Sequence, residues 1–174
     1  MLLETERLTV RTITSDDWQS VKKIWEDANL SMYAHYDKPH NTEPNDVRER
    51  IARWAQASEG REHIFFVACL RNEVIGYIAF NIRENGSYEI GYCFHSDYHG
   101  KGYAKESHIA ALECMRSRGI KHFTAGTAIK NPPSVKLLKS LGFEQIGEEK
   151  VSFYKDENGN DIVFDGGVFE LILE

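Results

Sequence analysis

The stretch Tyr98-His99-Gly100-Lys101-Gly102-Tyr103-Ala104 constrains this chain more than any other, because it sets two glycines and an alanine where an extended segment hands over to a helix. Upstream, Tyr88-Glu89-Ile90-Gly91-Tyr92-Cys93-Phe94 reads as a strand; downstream, Ile109, Leu112 and Met115 recur at helical spacing between Lys105 and Arg118. The glycines therefore fall at a helix N-terminus, where N–H groups without intrahelical partners and the positive end of the dipole face outward. Gly100 and Gly102 allow close approach of a ligand and a positive φ if the turn needs one. This is the geometry of an anion site. Backbone from Gly100 through Lys101, Gly102, Tyr103 and Ala104 to Lys105 is expected to hold a phosphate or pyrophosphate.

Two common phosphate motifs fail on spacing. A dinucleotide fingerprint starting at Gly100 needs glycine where Lys105 stands, and a P-loop needs Ser or Thr where Gly102 follows Gly100-Lys101. The pattern that remains, His99-x-x-Gly102-x-Ala104, resembles the acyl-CoA pyrophosphate loop of the GCN5-related N-acetyltransferase (GNAT) superfamily, usually Gln/Arg-x-x-Gly-x-Gly/Ala. The similarity extends to Glu89-Ile90-Gly91-Tyr92 upstream and to Asn131-x-x-Ser134 and Leu141-Gly142-Phe143 downstream, in the order of the ribosomal-protein N-acetyltransferase-like branch. The opening Thr5-Glu6-Arg7-Leu8 resembles that branch too, so the likeness runs from Glu4 to the C-terminus. The departure is His99, where the family has glutamine or arginine.

Composition sets the outer bounds. A chain of 174 residues is about one domain, expected here to span residues 1–174, and is long enough to bury a core. Cys69, Cys93 and Cys114 lie far apart with no Cys-x-x-Cys, an odd count that suits reduced thiols in a cytoplasm. The longest apolar run, Ile64 to Leu70, is strand-length and too short to span a bilayer, so neither a membrane segment nor a targeting peptide is expected. A net charge of −6 disfavours general nucleic-acid binding and suits cationic substrates slightly better. The sequence is compatible with a monomer or a homodimer.

Along the chain, Arg7 to Ile13 alternates like a strand, and Thr14-Ser15-Asp16-Asp17 supplies caps for a helix carrying Trp18, Val21 and Trp25. Residues 28–43 have no clean period. A second helix is expected from Pro44 through Val47, Ile51 and Trp54, then strands over His63–Leu70, Val74–Ile82 and Tyr88 onward, an antiparallel meander feeding the glycine loop. Beyond the central helix, His122–Ala128 reads as a strand, Pro133–Ser140 as a short helix, and Phe143–Tyr154 with Asp161–Leu173 as a closing hairpin. This is an α+β pattern. The resemblance implies the acyl-CoA N-acyltransferase fold, a mixed, mostly antiparallel twisted sheet flanked by helices and splayed at its centre to admit the cosubstrate.

Acetyl transfer to an amine requires a thioester held in place, a neutral amine, and stabilisation of a tetrahedral oxyanion followed by a proton for the thiolate. The resemblance implies that backbone at Tyr92, Cys93 and Phe94 docks the pantetheine arm and donates to the oxyanion, with His99 opening the pyrophosphate loop. Cys93 itself reads better as a small buried hydrophobe than as a nucleophile. Glu89 matches the position of a general base, against the alternative of a solvated edge carboxylate. Asn131 matches the residue that bonds the cosubstrate arm and Ser134 lines the same helix; both also read as simple helix caps. Leu138 stands where many relatives carry a tyrosine acid, which leaves Ser134 or Tyr154 for that role. His95, His99 and His122 are not expected to hold a metal, since they lack ligand spacing. The aromatic stretch Met32-Tyr33-Ala34-His35-Tyr36-Asp37 is either a lid or binding wall or a cover for the core.

The resemblance thus implies a cytoplasmic acetyl-CoA-dependent N-acetyltransferase, acting on a primary amine (a protein N-terminus, polyamine, aminoglycoside or other small amine) by direct attack in a ternary complex. The alternative is a non-catalytic acyl-CoA-binding or sensing module on the same fold.

Overall fold

The computed structural model describes all 174 residues. Its elements are β1 (Leu2–Glu4), β2 (Thr9–Thr12), α1 (Trp18–Asn29), α2 (Pro44–Ala57), β3 (His63–Leu70), β4 (Glu73–Ile82), β5 (Tyr88–Phe94), α3 (Tyr103–Ser117), β6 (His122–Ala128), α4 (Pro132–Ser140), β7 (Glu144–Lys155) and β8 (Asp161–Ile172). All eight strands form one sheet in the order β1-β2-β3-β4-β5-β6-β8-β7. The expected strand over Arg7–Ile13 is the shorter β2, and an unanticipated strand, β1, precedes it: Thr5 N–H donates to Leu8 O at 2.9 Å, and the turn folds Leu3 back against Val10. Three residues carry no period, which is why β1 left no trace in the sequence pattern.

The meander is antiparallel from β1 to β5, with Ile64 against Phe80 and Ile78 against Tyr92. Alternation along β3 sends Ile64, Phe66 and Ala68 to one face and Phe65, Val67 and Cys69 to the other. The first face is closed by α3 and α4 through Ala111, Leu112, Met115 and Leu138; the second by α1 and α2 through Val21, Ile24, Trp25, Val47 and Ile51. The apolar run of β3 is therefore a strand buried on both sides rather than a half-wet one. Inside the second core Trp25 Nε1–H donates to the Tyr77 hydroxyl at 3.0 Å, so both large polar tips are satisfied.

The regular pairing stops at the centre. β5 and β6 run parallel and are in register only at Tyr88 with Phe123 and Glu89 with Thr124. Beyond Glu89 the two strands part, while β6 stays bonded to β8 along its whole length, from His122–Ile172 to Ala128–Gly166. A gap opens toward the C-terminal ends of β5 and β6, at the glycine loop and the N-terminus of α4. The sheet is mixed and splayed as expected.

Candidate active site

The glycine loop leaves β5 through a short turn, Ser96–Tyr98. His99 directs the exit: its Nε2–H donates to the carbonyl of Phe94, the last residue of β5, at 2.7 Å. This imidazole pins the first turn of the loop to the strand, the place where the family uses glutamine or arginine. Gly100 (φ 71°) and Gly102 (φ 81°) both occupy the left-handed region, which a side chain would strain. Glu106 N–H, bonded to Gly102 O at 3.0 Å, is the first amide of the helix to find an intrahelical acceptor, and the N–H groups from Gly100 to Lys105 make no hydrogen bond within the chain. Lys101 folds its ammonium onto Asp97 O at 2.7 Å, whereas Lys105 has no side-chain partner. The loop is a row of free donors at a helix start.

Inside the gap a polar chain joins three elements. The Tyr92 hydroxyl of β5 lies 2.7 Å from Ser134 Oγ of α4, and Thr127 Oγ1 of β6 donates to the same Ser134 oxygen at 2.8 Å. Asn131 caps α4, its Oδ1 accepting from Ser134 N–H at 3.4 Å. Burial pushes the Tyr92 phenol up to about 12 against the Ser134 hydrogen bond, so it stays protonated at neutral pH. Beside it sits His108 of α3, fully buried, its ring perpendicular to that of Tyr92 at 4.8 Å. His108 Nδ1–H donates to Ala104 O at 2.7 Å, Nε2 has no partner, and burial lowers the imidazole to about 4. The ring is therefore neutral. Thr127 and His108 were missed at the level of sequence; the available signal for His108 was its helical spacing from Ala104, Ala111, Leu112 and Met115.

The other face of β5 carries Glu89 and Cys93. Glu89 is partly buried, and its carboxylate pairs with the Arg83 guanidinium across the turn from β4, a partner the sequence did not reveal. Cys93 packs against the α1 core, and burial, reinforced by the carboxylates of Asp37 and Asp27, pushes its thiol up to about 12. A thiol so held is not a nucleophile near pH 7. Asp27 at the end of α1 accepts from Ser96 N–H and Oγ–H at 2.8 and 2.6 Å, tying that helix to the exit of β5.

The aromatic segment packs against β7 and β8. A turn at Ala34–Tyr36 brings Tyr36 edge-on to Phe164 at 5.1 Å and Ala34 O within 3.4 Å of the Tyr154 hydroxyl. His35, Tyr36 and Phe164 line a cleft of about 250 Å³ together with Lys130 and Asp165. Tyr154 is thereby occupied away from the Ser134 cluster. His95, His99 and His122 are likewise engaged separately, His122 with Glu170 at 2.7 Å.

A splayed mixed sheet with a row of free amides at the exit of the diverging strand defines an acyl-CoA N-acyltransferase. The chain belongs to the acetyltransferase (GNAT) domain family, whose profile matches residues 7–144, and it is an acetyl-CoA-dependent N-acetyltransferase. It is 32% identical over 150 residues to an uncharacterized N-acetyltransferase, p20, of Bacillus licheniformis, covering 83% of each chain. Among solved structures it superposes on a ribosomal-protein-S5-alanine acetyltransferase from Vibrio fischeri with a TM-score of 0.83 at 20% identity, covering 99% of this chain and 96% of that one. It also superposes on the ribosomal L7/L12 α-N-protein acetyltransferase RimL in complex with coenzyme A, at TM-score 0.84 and 18% identity over 99% and 98% of the two chains. At such identities these likenesses establish the fold. No helix of the chain is long and apolar enough to cross a membrane.

Proposed function

We propose that the chain transfers the acetyl group of acetyl-CoA to a primary amine, a protein N-terminus or small amine, by direct attack in a ternary complex. The observation that carries this reading is the divergence of β5 from β6 after Glu89, which frees the edge of β5 just ahead of a loop whose amides from Gly100 to Lys105 have no acceptor of their own. The pyrophosphate fits those amides, with Lys101 and Lys105 adding charge. The pantetheine arm pairs with backbone at Tyr92, Cys93 and Phe94, and an N–H there donates to the carbonyl oxygen as it gains charge.

Proton traffic divides between the faces of β5. Ser134 accepts from Thr127 and lies in reach of the Tyr92 phenol, so its own proton is free for the departing thiolate. Asn131 fixes the N-terminus of α4 that carries it. Glu89, on the opposite face, takes the proton of the incoming amine directly or through water. The wall from His35 to Asp37 and the cleft beside Phe164 receive the rest of the acceptor.

Thiol release from acetyl-CoA, measured against a panel of amines and N-terminal peptides, tests the reading. Release that depends on amine identity supports it; tight acetyl-CoA binding without any release identifies a non-catalytic acyl-CoA-binding module instead. With an accepted amine in hand, Glu89→Gln should lower turnover about 10-fold near pH 7 with cosubstrate affinity unchanged, and the deficit should shrink as pH rises and solvent supplies neutral amine.

A further inference from the structure

The Thr5-Glu6-Arg7-Leu8 motif belongs to neither the gap nor the acceptor wall, yet its side chains converge on the start of α3. Thr5 Oγ1–H donates to Glu106 Oε1 at 2.7 Å and Thr5 Oγ1 accepts from Leu8 N–H at 2.9 Å, a local turn that presents Arg7. Arg7 then grips the same carboxylate: its backbone N–H donates to Oε1 at 2.8 Å, Nε donates to Oε2 at 2.7 Å, and Nη2 is ion-paired with Oε2 at 2.7 Å. The remaining arm, Nη1, donates to the carbonyl of Lys101 at 2.9 Å, and the guanidinium lies 4.6 Å over the Tyr103 ring. A Cβ on Gly102 would sit 3.2 Å from Nη2, so the guanidinium rests directly against the glycine.

Two consequences follow from elementary geometry and charge. In a planar trans peptide the C=O and N–H point in opposite directions, so holding Lys101 O on the Arg7 side aims the Gly102 N–H away from it, toward the outer side of the loop. Glu106 stands in the first turn of α3, where its negative charge opposes any anion bound at that helix start unless it is neutralised. Burial acts to raise the Glu106 carboxyl, but the hydrogen bonds from Thr5 and Arg7 and the charge of Arg7 prevail and hold it below the usual range, so it is ionised. An isolated exposed ion pair would matter little. This one is multidentate and touches the anion loop itself.

We infer that Arg7 is a positioning residue for the acetyl-CoA site, masking the Glu106 carboxylate and setting the 101–102 peptide so that its amide faces the pyrophosphate. The inference rests on the proposed cosubstrate site, and it separates charge masking from simple stapling of the N-terminal strands to α3. Lysine cannot replace the guanidinium, since one ammonium cannot hold a carboxylate and a carbonyl in a fixed fork.

Calorimetry with acetyl-CoA on the wild type, Arg7→Ala, Arg7→Lys, Glu106→Gln and the Arg7→Ala/Glu106→Gln double variant tests it, alongside kinetics with S-acetyl-pantetheine, which has no pyrophosphate. The expected pattern is a Kd raised about 10-fold by Arg7→Ala and by a smaller factor in Arg7→Lys, with Glu106→Gln near wild type. The double variant should recover at least half of the loss on a logarithmic scale. kcat at saturating acetyl-CoA and kcat/KM for S-acetyl-pantetheine should stay within about 2-fold of wild type. If Arg7→Ala proves too unstable to study, Arg7→Lys and the double variant carry the comparison. An unchanged Kd in a folded Arg7 variant, an equal loss on S-acetyl-pantetheine, or no recovery in the double variant overturns the inference alone. A wild type that binds no acetyl-CoA overturns the cosubstrate reading with it.

Discussion

Two loops border the C-terminal half of β5, and they are held by different physics. The glycine loop is fixed by polar bonds that leave it one shape: His99 to Phe94 O at 2.7 Å, Arg7 to Lys101 O at 2.9 Å and Glu106 N–H to Gly102 O at 3.0 Å. The aromatic loop between α1 and α2 is anchored at its ends, where the Asn29 side chain and the His40 backbone exchange bonds of 2.9 and 3.0 Å. Its middle turns on itself through short-range backbone bonds and meets the β7–β8 hairpin by the Tyr36–Phe164 ring contact and one long bond, Tyr154 to Ala34 O at 3.4 Å, while Leu30 and Met32 are 88% and 76% exposed. Hydrogen bonds fix direction, whereas apolar contact tolerates sliding. On the proposed function, the chain specifies its cosubstrate side tightly and leaves its acceptor side more adaptable.

The largest effect that probes this contrast is Gly102→Asp. The new carboxylate would cap the start of α3 and occupy the very amides offered to the pyrophosphate, against a strained φ and the adjacent Arg7. Calorimetry should show acetyl-CoA affinity reduced by more than about 100-fold; wild-type affinity in the folded variant would move the cosubstrate elsewhere. Next, Ser134→Ala removes the hydroxyl that Tyr92 and Thr127 converge on, and steady-state kinetics should show kcat down about 100-fold with little change in the KM for acetyl-CoA.

A thermodynamic counterpart comes from His108, the buried imidazole behind Tyr92. Its folded-state value near 4 lies below the ordinary 6.5, so the unfolded chain takes up a proton that the folded chain refuses. Stability is unaffected above the unfolded value and is lost as pH falls from about 6.5 toward 4. Urea denaturation should find the wild type losing about 2 kcal/mol more than His108→Leu between pH 7 and pH 5. Equal losses would mean that the ring reaches solvent. The smallest effect belongs to the adaptable side: Tyr36→Ala should raise the KM for the amine about 5-fold, the worth of one aromatic contact, and leave that for acetyl-CoA alone. A change in acetyl-CoA KM of the same size would erase the contrast between the loops.

What was legible in the sequence follows the same division. His63–Leu70, Tyr88–Phe94 and His122–Ala128 were read with their observed limits because each is a dense β-rich run bounded by turns, and Pro44 marked the first residue of α2. The glycine loop was legible as a turn into a helix because its left-handed positions need glycines at fixed offsets. The partners of charged side chains were not: nothing local links Arg83 to Glu89 in function, or Arg7 to Glu106, residues brought together only by the meander and by the return of α3 along β2. Thr127 escaped notice for a related reason, since a threonine in a strand is ordinary until Ser134 and Tyr92 are seen to meet it. The cleft beside Tyr36 depends on the far half of the β7–β8 hairpin folding toward residues 34–36, a tertiary event with no periodic signature.

The parting of β5 and β6 also has a mechanical meaning. A sheet resists flexing because each strand is braced by neighbours on both sides, and here the bracing is interrupted: five strands on one side and three on the other share only two register pairs. Bending costs least at such a seam, and Glu89 with Thr124 is the last pair in register before it opens. The Tyr92–Ser134–Thr127 chain lies across the open end of the seam like a latch of three hydroxyls, each exchangeable for another partner. If acetyl-CoA occupies this gap as proposed, its arrival and departure must remake that latch.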